Sequence, residues 1–201
     1  MTSGLRRIWP LLLVLLALAA LVPVADYLIQ VQRSEGRIPP GAEGRISGRF
    51  DLVDQNGRAV TEADFADRHK LVFFGFTHCP DVCPTTLARM SVVLRLLGPA
   101  AARLHPLFIS VDPERDTPER LRAYAKSFDP RIVYLTGTPQ QVAAVLDSWW
   151  VTRARIAAGA QGYSMEHSAV LYLLDPAGRV IASYRWDQSE AELARDIGAR
   201  L

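Results

Sequence analysis

Cysteine is scarce in this chain: two in 201 residues. Neither lies near the end of the one long apolar run, which argues against a lipoprotein. Charge of one sign is not in excess either. With Arg6 and Arg7 set aside, acidic and basic residues balance at 21 each. No basic stripe invites nucleic acid, and no acidic one invites a polycationic partner. Repeats and low-complexity blocks are missing. Histidine occurs four times, few enough for each potential ligand to be weighed singly.

The chain does contain a stretch without any charge. Ile8 to Ala25 reads IWPLLLVLLALAALVPVA, a run of 18, at the short end of the roughly 17–25 residues that cross a bilayer as a helix. Arg6 and Arg7 precede it, which favours a cytoplasmic N-terminus with the remainder outside. Ala20 and Ala25 are small, but no A-x-A cleavage pattern forms around them, so a retained anchor is preferred to a cleaved signal peptide. Residues 1–26 are therefore expected to be a membrane anchor. Residues 27–45, with Gly and Pro and no sustained periodicity, read as a linker, and 46–201 as the folded domain.

Within the domain, strand and helix patterns alternate. Ile46–Leu52 and Arg58–Val60 flank Asn56-Gly57, a strong hairpin signal, and Thr61 can cap a short helix through Phe65. Lys70–Phe76 (KLVFFGF) reads as a strand buried on both faces. A helix is expected from Pro84 to about Leu97, with Leu87, Met90, Val93, Leu94 and Leu97 on one face. Leu107–Val111 is the next strand, and Thr117-Pro118 opens a helix. Arg131–Leu135 is a strand, and Thr138-Pro-Gln-Gln141 starts a helix to about Trp150. Ser168–Leu174 and Val180–Trp186 form a second hairpin around Pro176-Ala-Gly178, and Ser189-x-x-Glu192 caps a last helix. This order implies an α/β sandwich with helices on both sides of a sheet. It resembles a thioredoxin-like fold with an N-terminal β-hairpin.

Both cysteines fall in Phe76-Thr-His-Cys79-Pro-Asp-Val-Cys83-Pro84, between a buried strand and an amphipathic helix. Pro84 suits the first helical position and disfavours helix for Cys83, so the pair is expected on a loop facing a helix N-terminus. That terminus favours thiolate over thiol. Four readings stand side by side. A structural disulfide would close a very short loop and stabilise little. A dithiol exchanger usually spaces its cysteines as C-x-x-C. A peroxidase nucleophile would need a peroxide pocket, for which Thr77 and Pro80 are faint support. A metal site needs two thiolates within reach of one ion, and such ligands select Cu(I), zinc or clusters.

Two cysteines leave a metal site incomplete. His69 and His105 read as solvated residues at strand starts, and His78 points away from its neighbour Cys79. His167, in Gly162-Tyr-Ser-Met-Glu-His-Ser168 ahead of the strand Ala169–Leu174, is placed beside the cysteine loop if the fold is thioredoxin-like. Two thiolates and one imidazole suit three-coordinate Cu(I), whereas zinc would want a fourth ligand. Met165 is a soft additional candidate but reads better as packing. Asp116 and Thr117 look like helix-start residues, Arg115 can pair with an acid across the loop, and Trp149-Trp150 reads as core.

Four segments together, Gly75–Pro84, Ser110–Pro118, Leu135–Thr138 and Tyr163–Ser168, resemble the SCO/SenC family of copper chaperones for cytochrome c oxidase assembly. The resemblance runs from about Phe50 to Trp186. It implies copper ligands at the two cysteines of the CPxxCP motif and at a distant histidine, which fall here on Cys79, Cys83 and His167. It further implies Cu(I), with Cu(II) left open, carried to the CuA centre of cytochrome c oxidase subunit II or to another membrane cuproprotein. The setting would be a single-pass anchor in the bacterial inner membrane with the domain in the periplasm. The rival function is a thiol–disulfide oxidoreductase, with Cys79 and Cys83 as the redox pair, a thiol reductant as partner, and cuproprotein cysteines as substrate. Many members have aspartate before the histidine; this chain has Glu166.

Overall fold

A run such as Leu71-Val-Phe-Phe74 has no polar face to offer water, so it can only settle where both faces are covered. In the computed structural model of the chain it forms the middle of a sheet. Residues 49–158, 162–167 and 169–201 are described. The expected anchor (1–26) and linker (27–45) lie outside them, as do residues 46–48 of the expected first strand. Among the described residues no helix is long and apolar enough to cross a membrane.

The elements are β1 (Asp51–Asp54), β2 (Ala59–Thr61), a 3-10 turn (Glu62–Phe65), β3 (His69–Gly75), α1 (Val82–Leu96), β4 (Leu104–Ser110) and α2 (Pro118–Ala125). They continue with β5 (Val133–Thr136), α3 (Pro139–Ser148), β6 (Arg153–Ala157), β7 (Tyr163–His167), β8 (Val170–Leu174), β9 (Val180–Arg185) and α4 (Glu190–Arg200). Seven strands form one sheet in the order β2-β1-β5-β4-β3-β8-β9. Strands β3, β4 and β5 are parallel, and the outer pairings are antiparallel. This is the α/β arrangement expected from the alternation of patterns. Gly57 and Gly178 take φ of 80° and 84° at the two hairpin turns, a region that costs a side chain but not a glycine.

The expected caps form. Thr117, Thr138 and Ser189 each accept a backbone N–H from three residues on, satisfying donors that a helix start leaves open. The face Leu87, Met90, Val93 and Leu94 of α1 is buried against the sheet. Trp149 is core, packed edge-on against Phe74 and Tyr172, whereas Trp150 is 56% exposed, so the expectation holds for one tryptophan only.

Two differences from the sequence reading bear on the site. Helix α1 starts at Val82, not Pro84, so Cys83 lies in its first turn. Proline is tolerated there because its missing N–H would have had no helical partner. Residues 163–167, expected as a loop ahead of the next strand, and residues 153–157, for which no element is expected from sequence, pair as the antiparallel strands β6 and β7 in a separate two-stranded sheet. Among the described residues only Met165 is buried in that hairpin, so it lacks the apolar alternation by which strands are recognised.

Gly75 ends β3 in a place with no room for a side chain. A Cβ there would lie 2.7 Å from Phe108 Cε2 and 3.1 Å from Cys83 Sγ, both fully buried. Gly75→Ala is expected to cost about 1–3 kcal/mol by overpacking, read as a lower urea midpoint; an unchanged midpoint would show that the strand end can shift.

Candidate metal centre

Parallel strands deliver their following loops to the same end of a sheet, which is where open α/β folds build sites. Strand β3 releases the chain after Gly75 into the cysteine loop, and β4 releases it after Ser110 into residues 111–117. The two loops are joined at their root by Val111 N–H donating to Gly75 O at 2.8 Å.

The two cysteines are neighbours with unequal surroundings. Both are free thiols; Cys83 is buried and Cys79 is half-buried. Cys83 N–H donates to Cys79 Sγ at 3.3 Å. The Cys79 thiol is lowered to about 6, first by the hydrogen bond it shares with the Cys83 thiol, with help from the backbone of Cys83, Asp81 and Val82 against the opposing effect of burial. This is the helix start acting as an anion site. Cys83 is pushed up by the same shared hydrogen bond, by burial and by the charge of Cys79. One sulfur is therefore a half-exposed thiolate and the other a buried thiol.

His167 reaches this pair across 84 residues of sequence, with Nε2 3.8 Å from Cys83 Sγ. It is the last residue of β7, and its ring lies edge-on to Phe76 and Phe73, with centroids 5.9 and 6.4 Å away. A pocket of 300 Å³ lined by Thr152, Arg153, Ala154, Glu166 and His167 opens beside it. Around one metal, a sulfur at about 2.3 Å and a nitrogen at about 2.0 Å, spread by about 120°, stand about 3.7 Å apart. The Cys83–His167 spacing fits that. Among the described residues no three Cys, His, Asp or Glu side chains already close on one metal-sized point.

The other candidates separate cleanly. His69 and His105 start β3 and β4, about 20 Å of strand away from the cysteine end. His105 is not the solvated residue expected: its Nε2 is 2.7 Å from Asp67 Oδ1 and its ring meets Phe65. His78 is exposed, with Nδ1 3.2 Å from Thr77 Oγ1. Met165 is buried in the core cluster, as packing requires. Glu166 is exposed on the outer face of the hairpin, opposite Ala154.

Asp116 is not a helix-start residue, a correction to the sequence reading. Thr117 alone caps α2. Asp116 is fully buried and accepts from Thr77 N–H, from Thr77 Oγ1–H at 2.7 Å and from Ser110 Oγ–H at 2.6 Å. Burial raises its carboxyl above the ordinary value, although these hydrogen bonds oppose the rise. Arg120 Nε adds a bond to Thr77 Oγ1 at 3.2 Å. The sequence held one signal for this: with Thr117 as cap, a charged residue directly before it had no helix-end role left.

Two expectations follow. Alkylation at low reagent should modify Cys79 first, its rate rising about tenfold per pH unit up to about pH 6 and levelling above, since only the thiolate attacks; mass mapping that finds Cys83 modified first would contradict the assignment. Asp116→Ala strands Thr77 N–H and Ser110 O–H without an acceptor, and should cost about 1–3 kcal/mol in urea unfolding.

Comparison with known proteins supplies the family. The SCO1/SenC family model matches residues 39–201. A SCO2-like protein of Rickettsia felis is 37% identical over 151 residues, 74% of each chain. The Bradyrhizobium japonicum ScoI structure, which has copper bound, superposes with a TM-score of 0.72 at 42% identity, covering 77% of this chain and 99% of that one. BsSco, a member of the Sco family of cytochrome c oxidase assembly proteins in which a disulfide switch was identified, gives a TM-score of 0.60 at 25% identity, covering 75% and 90%. With the match spanning the whole domain, the chain belongs to the SCO1/SenC family.

Proposed function

We propose that this protein is a copper chaperone that holds one Cu(I) between Cys79, Cys83 and His167. The observation that carries this is His167 Nε2 standing 3.8 Å from Cys83 Sγ, a donor spacing that suits a shared metal. Copper bound in the related ScoI structure supports the identity of the ion, and soft thiolates with an imidazole are the donors Cu(I) prefers over a hard cation's oxygens. Cys79 completes the set by turning from the helix start toward the other two donors. Being half-exposed, it is also the sulfur from which an incoming ligand can take the ion by exchange.

The receiving protein in this reading is a membrane cuproprotein, with the CuA centre of cytochrome c oxidase subunit II as the leading one. Residues 1–26 then tether the domain on the periplasmic side of a bacterial inner membrane. The unequal cysteines favour one rival. A half-exposed Cys79 lowered to about 6 beside a buried partner thiol is the layout of an attacking and a resolving sulfur. Under that reading the protein reduces disulfides of a cuproprotein, and a thiol reductant restores it.

His167 separates the two. Cu(I) titration of the reduced full-length protein against a competing chelator is expected to give one tight ion per chain. Binding should weaken by at least about tenfold, about 1.4 kcal/mol, in both His167→Ala and Cys83→Ser. If His167→Ala binds as wild type does while the dithiol still cycles with a disulfide substrate, the chaperone reading falls and the oxidoreductase takes its place.

A further inference from the structure

His167 sits on a hairpin that cannot hold its own position. Strands β6 and β7 make a two-stranded sheet apart from the main one, and such a hairpin is marginal alone. Met165 is its single buried side chain among the described residues. Apolar packing at Met165, at half-buried Tyr163 and at the His167 ring against Phe73 and Phe76 holds one face, and the rest of the hairpin is held by polar contacts.

Those contacts converge on the 111–116 loop. Arg153, opposite His167 in the β6–β7 register, donates from Nη1 to Val111 O at 2.6 Å. Arg155 donates from Nη2 to Glu114 Oε1 at 2.8 Å. Tyr163 donates its hydroxyl to Asp112 Oδ1, and its own carbonyl accepts from Arg115 Nη1, both at 2.8 Å. The Tyr163 ring also carries two guanidiniums, with Arg115 Cζ 3.6 Å and Arg155 Cζ 4.1 Å from its centroid. Arg115 is itself held by the buried Asp112 carboxylate. Tyr163 thus joins one arginine of the loop and one of the hairpin through a single ring.

The far side of the same loop grips the cysteines' segment, through Val111 N–H to Gly75 O and through Asp116 to Thr77. One loop is bonded to both halves of the candidate centre. On β7, residues 163, 165 and 167 share a face, so a shift of the hairpin at Tyr163 is transmitted to His167 by rigid strand.

From this geometry we infer that Tyr163, clasped by Arg115 and Arg155, is a positioning residue that sets how often His167 stands against Cys83. This rests on the copper reading of Cys79, Cys83 and His167. The affinity of a site present in only a fraction of molecules falls by that fraction. Without the clasp the hairpin samples positions with His167 withdrawn, and Cu(I) is held by two sulfurs for more of the time. Neither arginine nor the tyrosine touches the ion.

The test is a double-mutant cycle on Cu(I) affinity in the full-length protein, by chelator competition. Tyr163→Leu is expected to weaken binding about tenfold, the size of a cation–π contact plus a hydrogen bond. Tyr163→Phe, which keeps the ring and loses only the Asp112 bond, should restore most of it. In a His167→Ala background Tyr163→Leu should add less than about twofold, because a residue acting only through His167 has nothing left to position. In copper-free protein, amide exchange at 153–157 and 163–167 should quicken in Tyr163→Leu while the unfolding midpoint holds. Arg155→Gln, an exposed change, should give the same signs more weakly.

If His167→Ala weakens binding but Tyr163→Leu and Arg155→Gln do not, the positioning role is wrong and the ligand assignment stands. An undiminished Tyr163→Leu effect in the His167→Ala background also overturns the role, since the residue would then act on the whole fold. Wild-type affinity in His167→Ala overturns the ligand assignment and the positioning role together.

Discussion

The buried carboxylate of Asp116 is the contact on which the arrangement of the centre depends. Thr77 N–H, Thr77 O–H and Ser110 O–H all point at it, and a desolvated carboxylate is tolerable only when its lone pairs are filled this way. These bonds tie the segment leaving β3 to the segment leaving β4. Both segments leave neighbouring parallel strands in matched register, with Gly75 opposite Ser110. The cysteine loop thus inherits its place from the sheet, by way of one acid that makes no contact with either sulfur among the hydrogen bonds found.

With that loop fixed, the two cysteines become chemically different. Cys79 lies where the first N–H groups of α1 are unsatisfied by the helix and can serve a negative sulfur. Cys83, one turn later on the inner face, has protein on all sides, and the hydrogen bond it shares with Cys79, together with desolvation, holds its proton. Cys83 is completely buried, so in the proposed three-ligand site the adjustable donors would be Cys79 and His167. A chaperone has to bind an ion and then release it. Holding one sulfur fixed while a half-exposed sulfur and a hairpin-borne imidazole can shift suits that task, and it suits disulfide exchange equally well at the two sulfurs alone.

Much of the main sheet was legible because its signals are local and physical. Apolar runs gave β3, β4 and β8, the Asn56-Gly57 and Pro176–Gly178 turns gave the hairpins, and Thr117, Thr138 and Ser189 gave helix starts to within a residue. The β6–β7 hairpin was not legible. Its residues Arg153-Ala-Arg-Ile-Ala157 show no buried alternation, since their partners are a tyrosine ring, carboxylates and carbonyls of a loop about forty residues upstream. Helix α1 begins two residues ahead of Pro84, because proline's tolerance in a first turn outweighs the restriction it places on the residue before it. Trp149 and Trp150, adjacent in sequence, part company at the end of α3: Trp149 and Val151 are buried, while Trp150, at φ of 55°, faces outward.

The sequence alone determined the chemistry available: two thiols four positions apart between a buried strand and an amphipathic helix, four histidines, and a motif set whose joint occurrence pointed to one family. The family resemblance had already singled out His167, and the structure places it 3.8 Å from Cys83 Sγ; which sulfur carries charge, which acid holds the loops together and what braces the hairpin of His167 were decided by tertiary structure. The physical reason is that local signals act within a turn or two of the chain. The Cys83–His167 approach, the Asp116–Thr77 bond and the Tyr163 clasp join residues 84, 39 and 48–51 positions apart, and only the closure of the sheet brings such partners within reach.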